Sequence, residues 1–437
     1  MSWTVLKLKK SFMAILIFLI AMYMFKMASL LKSTRAVPAK SSKTENKDIV
    51  KPGERNSYIP KPTNLQTICN KSSVALRTKL TKYMLIDETH KLLYCFVPKV
   101  GCTAWRKIFA VLSNEKIRNE TNGNPENIRV DPHFGLHFKS IKSYDRSQQD
   151  RILKSYYKFM FVREPFERLV SAYIDKFYVP EPHGFWKVWG KGIINKYRHK
   201  ASVTSRECGH DVTFDEFLAH SFSTIEQQYI NAGNGHWVTI QQLCNPCDIN
   251  YDYIGRMESM QQDTKAILEK ANVSHLINQQ KPSVRKIKEN LHFSTRGLLR
   301  SASCLSVIDG IRRIINSLIF KGFLPDDFPT SEYTKGLLVT SINVTNIKRK
   351  NDHMVKEFIS KLENILPAVW ENKLKFQTPA VESRREHCLT RLQKSNIMNH
   401  ISPQKIKQFL EYFSFDFEAF GYDSSFYSDY ILKEHEE

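Results

Sequence analysis

Two segments of the chain place a positively charged side chain between the pattern of a buried strand and the pattern of an amphipathic helix. The first segment extends from Tyr94 to Lys107, and the second extends from Phe159 to Phe177. A tight turn at a helix start presents unpaired backbone N–H groups, and a cation beside them favours phosphate or sulfate. Two such segments therefore predict a ligand with two separated anionic groups.

The turn of the first segment has the residues of an anion-binding loop. Gly101 lets the backbone approach an oxyanion closely, Lys99 supplies charge, and Thr103 supplies a hydroxyl at the helix start. The NTPase P-loop pattern Gly-x4-Gly-Lys-Ser/Thr occurs nowhere in the sequence. The alternative interpretation is an ordinary strand-to-helix turn with an exposed lysine.

In the second segment, Arg163 directly follows the strand pattern, which predicts that its guanidinium lies at the carboxyl edge of a sheet. Pro165 occupies the place of a first helical residue, and apolar residues then recur at spacings of three and four. The polar face of this helix consists of Glu167, Arg168, Ser171 and Asp175. The alternative interpretation is that Arg163 forms a structural ion pair with Glu167 or Asp175.

The elements around both loops predict an α/β fold. Continuous apolar runs at residues 92–97 and 156–162 are typical of fully buried strands, and residues 103–112 have the pattern of a helix. Strands that alternate with helices indicate a central parallel sheet, in which ligands bind at the carboxyl ends of the strands. Amphipathic helical patterns also occur at residues 304–320 and 353–370.

The N-terminal region contains an apolar run at residues 12–31 that is interrupted only by Lys26. At a rise of about 1.5 Å per residue, such a run just spans a bilayer. The lysines that precede it favour a cytosolic N-terminus. We therefore predict a signal anchor rather than a cleaved signal peptide, since the run is longer than a signal peptide needs. Either interpretation predicts that the rest of the chain is lumenal or extracellular.

The chain of 437 residues is strongly basic. It has 65 Lys and Arg against 44 Asp and Glu, a formal net charge of +21. This charge favours anionic partners such as nucleic acid, acidic membrane or polyanionic sugar. A lumenal location argues against nucleic acid, so we predict an anionic glycan or glycosaminoglycan as partner.

Cysteines and glycosylation sequons fit the same compartment. Eight cysteines predict several disulfides, although the sequence leaves their connectivity open. Cys244 and Cys247 form one Cys-x2-Cys pair with His236 nearby, and disulfide formation is favoured over half of a zinc site. We predict no metal. The four Asn-X-Ser/Thr sequons are at Asn70, Asn119, Asn272 and Asn343.

These patterns predict five regions. Residues 1–11 form a cytosolic tail, residues 12–31 the transmembrane anchor, and residues 32–75 a flexible stem rich in Lys, Ser, Thr, Asn and Pro. A lumenal domain at 76–423 then includes an atypical insertion at 290–400, and residues 424–437 form a C-terminal tail.

Taken together, the two loops resemble the sulfonate-donor motifs of the Golgi carbohydrate sulfotransferases. The segments concerned are Lys99-Val-Gly-Cys-Thr-Ala-Trp105 and Arg163-Glu-Pro-Phe-Glu-Arg-Leu-Val-Ser-Ala-Tyr173. The chain is most similar to the group that contains the chondroitin and dermatan 4-O-sulfotransferases and the HNK-1 sulfotransferase. The other segments that carry the resemblance are His236-Trp237, Leu243–Cys247, Tyr251–Gly255 with Glu258, and Asp416–Tyr422. It does not extend to residues 290–400.

The resemblance implies a P-loop-like sulfotransferase fold and 3′-phosphoadenosine 5′-phosphosulfate (PAPS) as donor. Arg163 and Ser171 would hold the 3′-phosphate, and Lys99 would stabilise charge on the leaving phosphate oxygen. The 5′-phosphosulfate would lie against Lys99, Val100, Gly101, Cys102, Thr103, Ala104 and Trp105. This chemistry needs no metal, and positioning and charge stabilisation should dominate catalysis.

The acceptor side is less clearly marked in the sequence. A base must take the proton of the acceptor hydroxyl, and we predict His133, with His137 as the next candidate. A basic and aromatic segment is the predicted acceptor surface, because flat rings pack on sugars and cations meet carboxylates. Its residues are Trp186, Lys187, Trp189 and Lys191. The alternative is a solvated basic face over core tryptophans.

The resulting hypothesis is a single-pass type II Golgi sulfotransferase that acts on a glycan hydroxyl. The first choice is the 4-O position of N-acetylgalactosamine in chondroitin or dermatan, and the second is the 3-O position of glucuronic acid, as in HNK-1. A Golgi glycosyltransferase would need an Asp-x-Asp metal site, and the sequence has none. A catalytically inactive glycan-binding relative is the non-enzymatic alternative.

Overall fold

A computed structural model describes most of the chain from Leu65 onward. The described residues are 65–71, 80–130, 135–180, 183–228, 230, 234–278, 285–321, 323–340, 351–364 and 401–428. The chain divides into two units, Met1–Arg55 and Asn56–Glu437, and every described residue belongs to the second. Among them, no helix is long and apolar enough to cross a membrane. The predicted anchor at residues 12–31 lies outside the described residues.

The central sheet has four strands in the order β1-β2-β3-β4. They are β1 (Met84–Asp87), β2 (Leu92–Cys95), β3 (Tyr157–Val162) and β4 (Tyr253–Arg256). β2, β3 and β4 are mutually parallel, with Leu92 opposite Tyr157 and Met160 opposite Ile254. β1 pairs with β2 in the antiparallel direction, so the prediction of a parallel sheet is wrong for this edge. The four-residue connection after β1 is too short for a parallel crossover.

Fifteen helical segments surround this sheet in the part of the chain that the structure describes. They are α1 (Leu65–Lys71), α2 (Cys102–Ser113), α3 (Glu115–Thr121), α4 (Arg146–Ser155), α5 (Pro165–Tyr173), α6 (Lys191–Tyr197), α7 (Val203–Cys208), α8 (Phe214–Glu226), α9 (Ile240–Cys244), α10 (Met260–Lys270), α11 (Arg285–Arg300), α12 (Val307–Phe320), α13 (Thr330–Thr340), α14 (residues 351–364) and α15 (Pro403–Ala419). Five-residue π-helical turns lie at Ile174–Tyr178 and Trp186–Gly190. Short 3₁₀ turns lie at Pro125–Asn127, Ile141–Ser143, Asn234–His236, Met257–Ser259 and Ser274–Leu276.

The two predicted strands are buried because helices cover both faces of the sheet. Every residue of β2 is buried, as is every residue of β3 after Tyr157. Tyr94 of β2 stacks on Phe159 of β3 with ring centroids 5.0 Å apart, and Trp105 of α2 packs on Phe159 at 4.7 Å. This aromatic cluster fixes α2 against the strands and therefore fixes the loop that joins β2 to α2.

Helices α11 to α14 have a separate apolar cluster, which includes Leu298, Ile315 and Phe358. The cluster is joined to the α/β core by polar contacts and by a disulfide. Arg313 of α12 donates to the carbonyl oxygens of Tyr178 and His210 at 3.2 and 2.7 Å. The described part of the predicted insertion at 290–400 is thus an ordered helical layer, and residues 365–400 lie outside the described residues.

Three disulfides connect distant parts of the chain: Cys69–Cys247, Cys95–Cys244 and Cys208–Cys304. The prediction that several cysteines pair is confirmed. Both members of the Cys-x2-Cys pair are oxidised, so neither sulfur is available as a zinc ligand. Cys102 is a buried free thiol, and Cys388 lies outside the described residues.

The predicted glycosylation positions are all compatible with modification where the structure describes them. The sequon asparagines Asn70, Asn119 and Asn272 are exposed, and Asn343 lies outside the described residues.

Candidate active site

The first loop (residues 98–101) connects β2 to α2 at the carboxyl edge of the sheet. Two of its residues have left-handed backbone, Lys99 at φ 70° and Gly101 at φ 65°. A side chain at Gly101 would be strained at this positive φ and would have to displace the thioether end of Met260, so glycine is favoured at this position. Gly101 is the N-cap of α2 and provides no side-chain cap, so the first-turn N–H groups remain suited to an anion.

The predicted residues of this loop contribute in different ways. The side chains of Val100, Cys102 and Trp105 are buried, and the amides of Val100 and Trp105 already donate to the carbonyls of Val97 and Gly101. Burial raises the pKa of the Cys102 thiol, which keeps it neutral. Thr103 is exposed and Ala104 half-buried. The hydroxyl of Thr103 and the ammonium of Lys99 are therefore the side-chain groups nearest to solvent in this turn.

Lys99 forms an ion pair that the sequence did not indicate. Its Nζ lies 3.0 Å from Oδ2 of Asp175, and Nζ of Lys176 lies 3.2 Å from the same oxygen. Burial alone would raise the pKa of Asp175, but the nearby charges of Lys99, Lys176 and Lys321 outweigh it and hold the pKa well below its usual value. Asp175 follows α5 in the π-helical turn, so three lysines converge on one carboxylate.

Arg163 connects the second loop to the first. It directly follows β3, and its Nη1 donates to the carbonyl oxygen of Lys99 at 3.3 Å. Its Nη2 also lies 3.3 Å from Oε2 of Glu167, so the structural ion pair weighed above is present. Both side chains are half-buried. Ser171, predicted to act with Arg163, is a half-buried residue of α5.

Arg168 is a site residue that sequence reasoning misplaced. The helical pattern assigned it to the polar face of α5, whereas it is 1% exposed. Its guanidinium donates to the carbonyl oxygens of Pro98, Val238 and Gly235 at 3.1, 2.7 and 2.9 Å. Burial lowers the pKa of Arg168 to about 10, so it stays charged at neutral pH. One side chain thereby fixes the first loop to residues 235–238.

Two buried carboxyl groups support the same region. Asp416 of α15 accepts from the amides of Ile240 and Gln241 at 2.7 and 3.1 Å, which anchors the start of α9. Burial raises the pKa of Asp416 to about 6, although the hydrogen bonds from the two amides and the charge of Arg168 lower it. Glu164 caps α5 by accepting from the Glu167 amide at 2.6 Å. Burial raises the pKa of Glu164 to about 7.

The two predicted base candidates lie before α4. His133 lies outside the described residues, so its role stays a prediction. His137 is exposed, and its neighbour Leu136 accepts a hydrogen bond from Arg106 of α2 at 3.3 Å.

The predicted acceptor surface is only partly at the surface. Trp186 is 5% exposed, and its indole N–H donates to the carbonyl of Phe177 at 2.9 Å. Its ring therefore has no face to offer a sugar, which contradicts its predicted place at the surface. The physical reason is that the π-helical turn directs Trp186 into the core. Trp189 is half-buried and packs on Trp237, Lys191 is half-buried, and Lys187 is exposed.

Comparison with known proteins gives one family. The model described as "Sulfotransferase family" matches residues 82–315. Carbohydrate sulfotransferase 11 of Mus musculus is 39% identical over 193 residues, 44% of this chain and 54% of the relative. Carbohydrate sulfotransferase 8 of Mus musculus is 36% identical over 185 residues, 42% of each chain. Carbohydrate sulfotransferase 14 of Danio rerio is 34% identical over 220 residues, 50% of this chain and 56% of the relative.

The chain therefore spans about half the length of the curated relatives that it matches. The resemblance to carbohydrate sulfotransferases that the two loop motifs predicted is confirmed by these matches. No solved structure matches the chain significantly.

Proposed function

This chain belongs to the sulfotransferase family, and we propose that it transfers a sulfonate group from PAPS to a hydroxyl of a glycan. The proposed acceptor is the 4-O position of N-acetylgalactosamine in chondroitin or dermatan. The 3-O position of glucuronic acid, as in HNK-1, is the second choice. The net charge of +21 supports an anionic glycan over a neutral one.

One contact carries the proposal: the guanidinium of Arg163 donates to the carbonyl of Lys99. It joins the ends of two adjacent parallel strands, β2 and β3, into one anion-binding edge. Separate loops would suit two unrelated anions. A single edge suits a ligand whose two anionic groups belong to one molecule, such as a nucleotide phosphorylated at both ends.

The residues present fit the two ends of PAPS. Around the first loop, the amides of the first turn of α2, the Lys99 ammonium and the Thr103 hydroxyl form a donor set for the 5′-phosphosulfate. Arg163 and Ser171 on the second segment would hold the 3′-phosphate. PAPS supplies the activated sulfonate, and Lys99 neutralises the negative charge on the phosphate that leaves.

Transfer forms a bond between the acceptor oxygen and sulfur, while the bond from sulfur to the 5′-phosphate breaks. The hydroxyl proton goes to a base, for which His133 remains the residue predicted from the sequence. Because the two anion-binding loops are held by Arg163 and Arg168, the main contribution of the protein is to fix the reacting groups in line.

The proposal includes a lumenal location behind the anchor at residues 12–31, in the Golgi. Support comes from the three disulfides, which form and persist in oxidising compartments such as the secretory pathway. The exposed sequon asparagines Asn70, Asn119 and Asn272 agree with it. Digestion with an endoglycosidase, followed by a shift in gel mobility, tests this part directly.

The decisive experiment is transfer of radiolabelled sulfate from PAPS to a panel of desulfated acceptors. The panel contains chondroitin, dermatan, heparosan and a glycan that ends in glucuronic acid. We expect label in chondroitin or dermatan, and disaccharide analysis should place it at the 4-O position. A Lys99→Ala variant is the matched control and should incorporate no label above background. Intact PAPS binding without transfer to any acceptor would instead identify an inactive glycan-binding relative.

A further inference from the structure

The first observation concerns the ammonium group of Lys99. Lys99 and Lys176 contact the same oxygen of Asp175, so their ammonium groups lie close together. Nζ of Lys176 also lies 4.6 Å from the ring centroid of Phe185, in a cation–π contact. Lys176 therefore connects the reacting end of the first loop to an aromatic ring on a different segment.

Phe185 in turn contacts a histidine. The ring centroids of Phe185 and His236 are 5.7 Å apart, with the rings nearly perpendicular at 79°. Both residues are half-buried, so each keeps part of its surface open to solvent. A half-exposed phenyl ring beside an imidazole and an ammonium combines a surface for the C–H groups of a sugar with polar groups for its substituents.

Arg168 links the backbone just before His236 to the backbone just before Lys99. The guanidinium of Arg168 donates to the carbonyl of Pro98, which precedes Lys99, and to that of Gly235, which precedes His236. One planar group thus fixes both residues at the same end of the sheet. Trp237 strengthens this placement, because it is fully buried and its carbonyl accepts from the Ser221 hydroxyl at 3.0 Å.

The charge of this region favours an anion next to the sugar ring. The lysines Lys99, Lys176 and Lys321 act on one carboxylate, that of Asp175. Three positive charges against one negative charge leave an excess that a carboxylate on a neighbouring sugar unit would neutralise. The ring of Trp186, next to the exposed Lys187, is buried and not available to a sugar.

We propose that Lys176, Phe185 and His236 form the acceptor subsite, which binds a sugar ring adjacent to a uronate carboxylate. This inference rests on the proposed function, because it assigns the acceptor of that same reaction. Phe185 packs against the C–H face of the ring, His236 hydrogen-bonds a ring substituent, and Lys176 contacts the carboxylate. The acceptor hydroxyl is then presented at Lys99, where the sulfonate is held.

The test is binding of a desulfated chondroitin hexasaccharide to the full-length chain, measured calorimetrically in the presence of adenosine 3′,5′-bisphosphate. Because no turnover is needed, the result does not depend on detectable transfer. Phe185→Ala and His236→Asn should each weaken hexasaccharide binding about tenfold or more, the effect of losing one good contact. The affinity for adenosine 3′,5′-bisphosphate should stay within about twofold of wild type.

Matched controls come from the neighbouring exposed face. Val188→Ala, three residues from Phe185, and Lys200→Ala should leave hexasaccharide affinity unchanged, since both side chains are exposed. If Phe185→Ala does not fold, Phe185→Leu retains apolar volume but removes the flat ring. The wild type should bind a carboxyl-reduced hexasaccharide more weakly than the native one. The Lys176→Gln variant should bind the two hexasaccharides with equal affinity.

Three results would overturn the subsite: no binding of the hexasaccharide to wild type, wild-type affinity in both Phe185→Ala and His236→Asn, or an equal loss of affinity in Val188→Ala. A failure of the proposed function has a different signature. In that case the wild type binds the hexasaccharide through Phe185 and His236, yet it transfers no sulfate. If the wild type transfers sulfate and both Phe185→Ala and His236→Asn have the wild-type KM for the acceptor, the proposed function holds and only the subsite is wrong.

Discussion

Nζ of Lys99 lies 3.0 Å from the carboxylate of Asp175, so the lysine proposed to stabilise the leaving group is held by an acid from the end of the neighbouring helix segment. The pair is only partly exposed, and Lys176 shares the same oxygen. The carboxylate keeps Lys99 in one orientation but does not cancel the surrounding positive charge. An arriving sulfonate group therefore finds a cation already in place, with less conformational entropy to lose.

Replacing Lys99 with alanine tests this catalytic role. We expect kcat to fall about 100- to 1000-fold, the range for loss of one group that stabilises developing charge. Stability should change little, because the side chain is partly exposed and Asp175 keeps Lys176 as a partner. The measurement is sulfate transfer under saturating PAPS together with a urea unfolding curve. Loss of folding in this variant, or transfer close to wild type, would contradict the assignment.

Arg168→Lys tests whether the buried guanidinium holds the site together. A lysine retains the charge but has no planar fork that reaches the carbonyls of Pro98, Gly235 and Val238 together. Leaving buried carbonyls unpaired should lower the free energy of unfolding by about 2–4 kcal/mol. Urea denaturation provides the measurement, and Arg206→Lys, at an exposed position, is the control. Equal stability of the two variants would show that the three bonds contribute nothing net.

The raised pKa of Glu164 should make the free energy of unfolding depend on pH. Burial raises its pKa from 4.5 to about 7, so the folded state binds its proton more tightly than the unfolded state does. Stability from this group is therefore highest below pH 4.5, and it decreases as pH rises toward 7. Glu164→Gln removes this dependence. Relative to wild type, the variant should gain about 3 kcal/mol between pH 4.5 and 7.5.

The experiment compares urea unfolding of wild type and Glu164→Gln at several pH values across that window. Glu411→Gln, at an exposed position of α15, serves as the control. A constant stability difference between wild type and Glu164→Gln would mean that Glu164 titrates alike in the folded and unfolded states. The hydrogen bonds that lower the pKa of Glu164, among them the one that the Tyr427 hydroxyl donates at 3.0 Å, would then fully offset the effect of burial.

The disulfide Cys208–Cys304 should control how firmly helices α11 to α14 are attached. It joins α7 to the turn before α12 over a sequence separation of 96 residues. Replacing both cysteines with alanine should cost about 2–4 kcal/mol and make residues 285–364 the first to be cleaved in limited proteolysis. Replacing Cys69 and Cys247 is the matched control, since that bridge joins α1 to the chain before β4. Equal protease sensitivity of residues 285–364 in both variants would show that Arg313 and the apolar contacts suffice.

Much of the fold follows from local sequence patterns. The apolar runs correctly predicted β2 and β3. The apolar stripe after Pro165 correctly predicted α5, and the amphipathic pattern at 304–320 correctly predicted α12. These predictions succeed because burial on both faces of a sheet leaves a short continuous run of apolar residues in the strand. The pattern failed for Arg168, since helical periodicity distinguishes polar from apolar residues but not exposed polar residues from buried ones with partners.

Local sequence patterns also indicated some residues of the candidate site but not others. Lys99, Gly101 and Arg163 could be assigned to one edge because they lie in the segments that follow β2 and β3, and parallel strands end at a common edge. Asp175, Lys176, Phe185 and His236 were not assigned to that edge by any local rule. Their approach to Lys99 depends on contacts that span 60 or more residues, such as the bond from Arg168 to Gly235.

The sequence by itself determined the family, the two strand–loop–helix segments and the pairing of several cysteines, because those features lie in short contiguous motifs and in composition. Only the tertiary structure decided which cysteines pair, that Trp186 is buried, and that Asp175 holds Lys99. The physical reason is that a motif specifies local backbone geometry. Partner choice and burial depend instead on how distant segments pack, and that is a property of the whole chain.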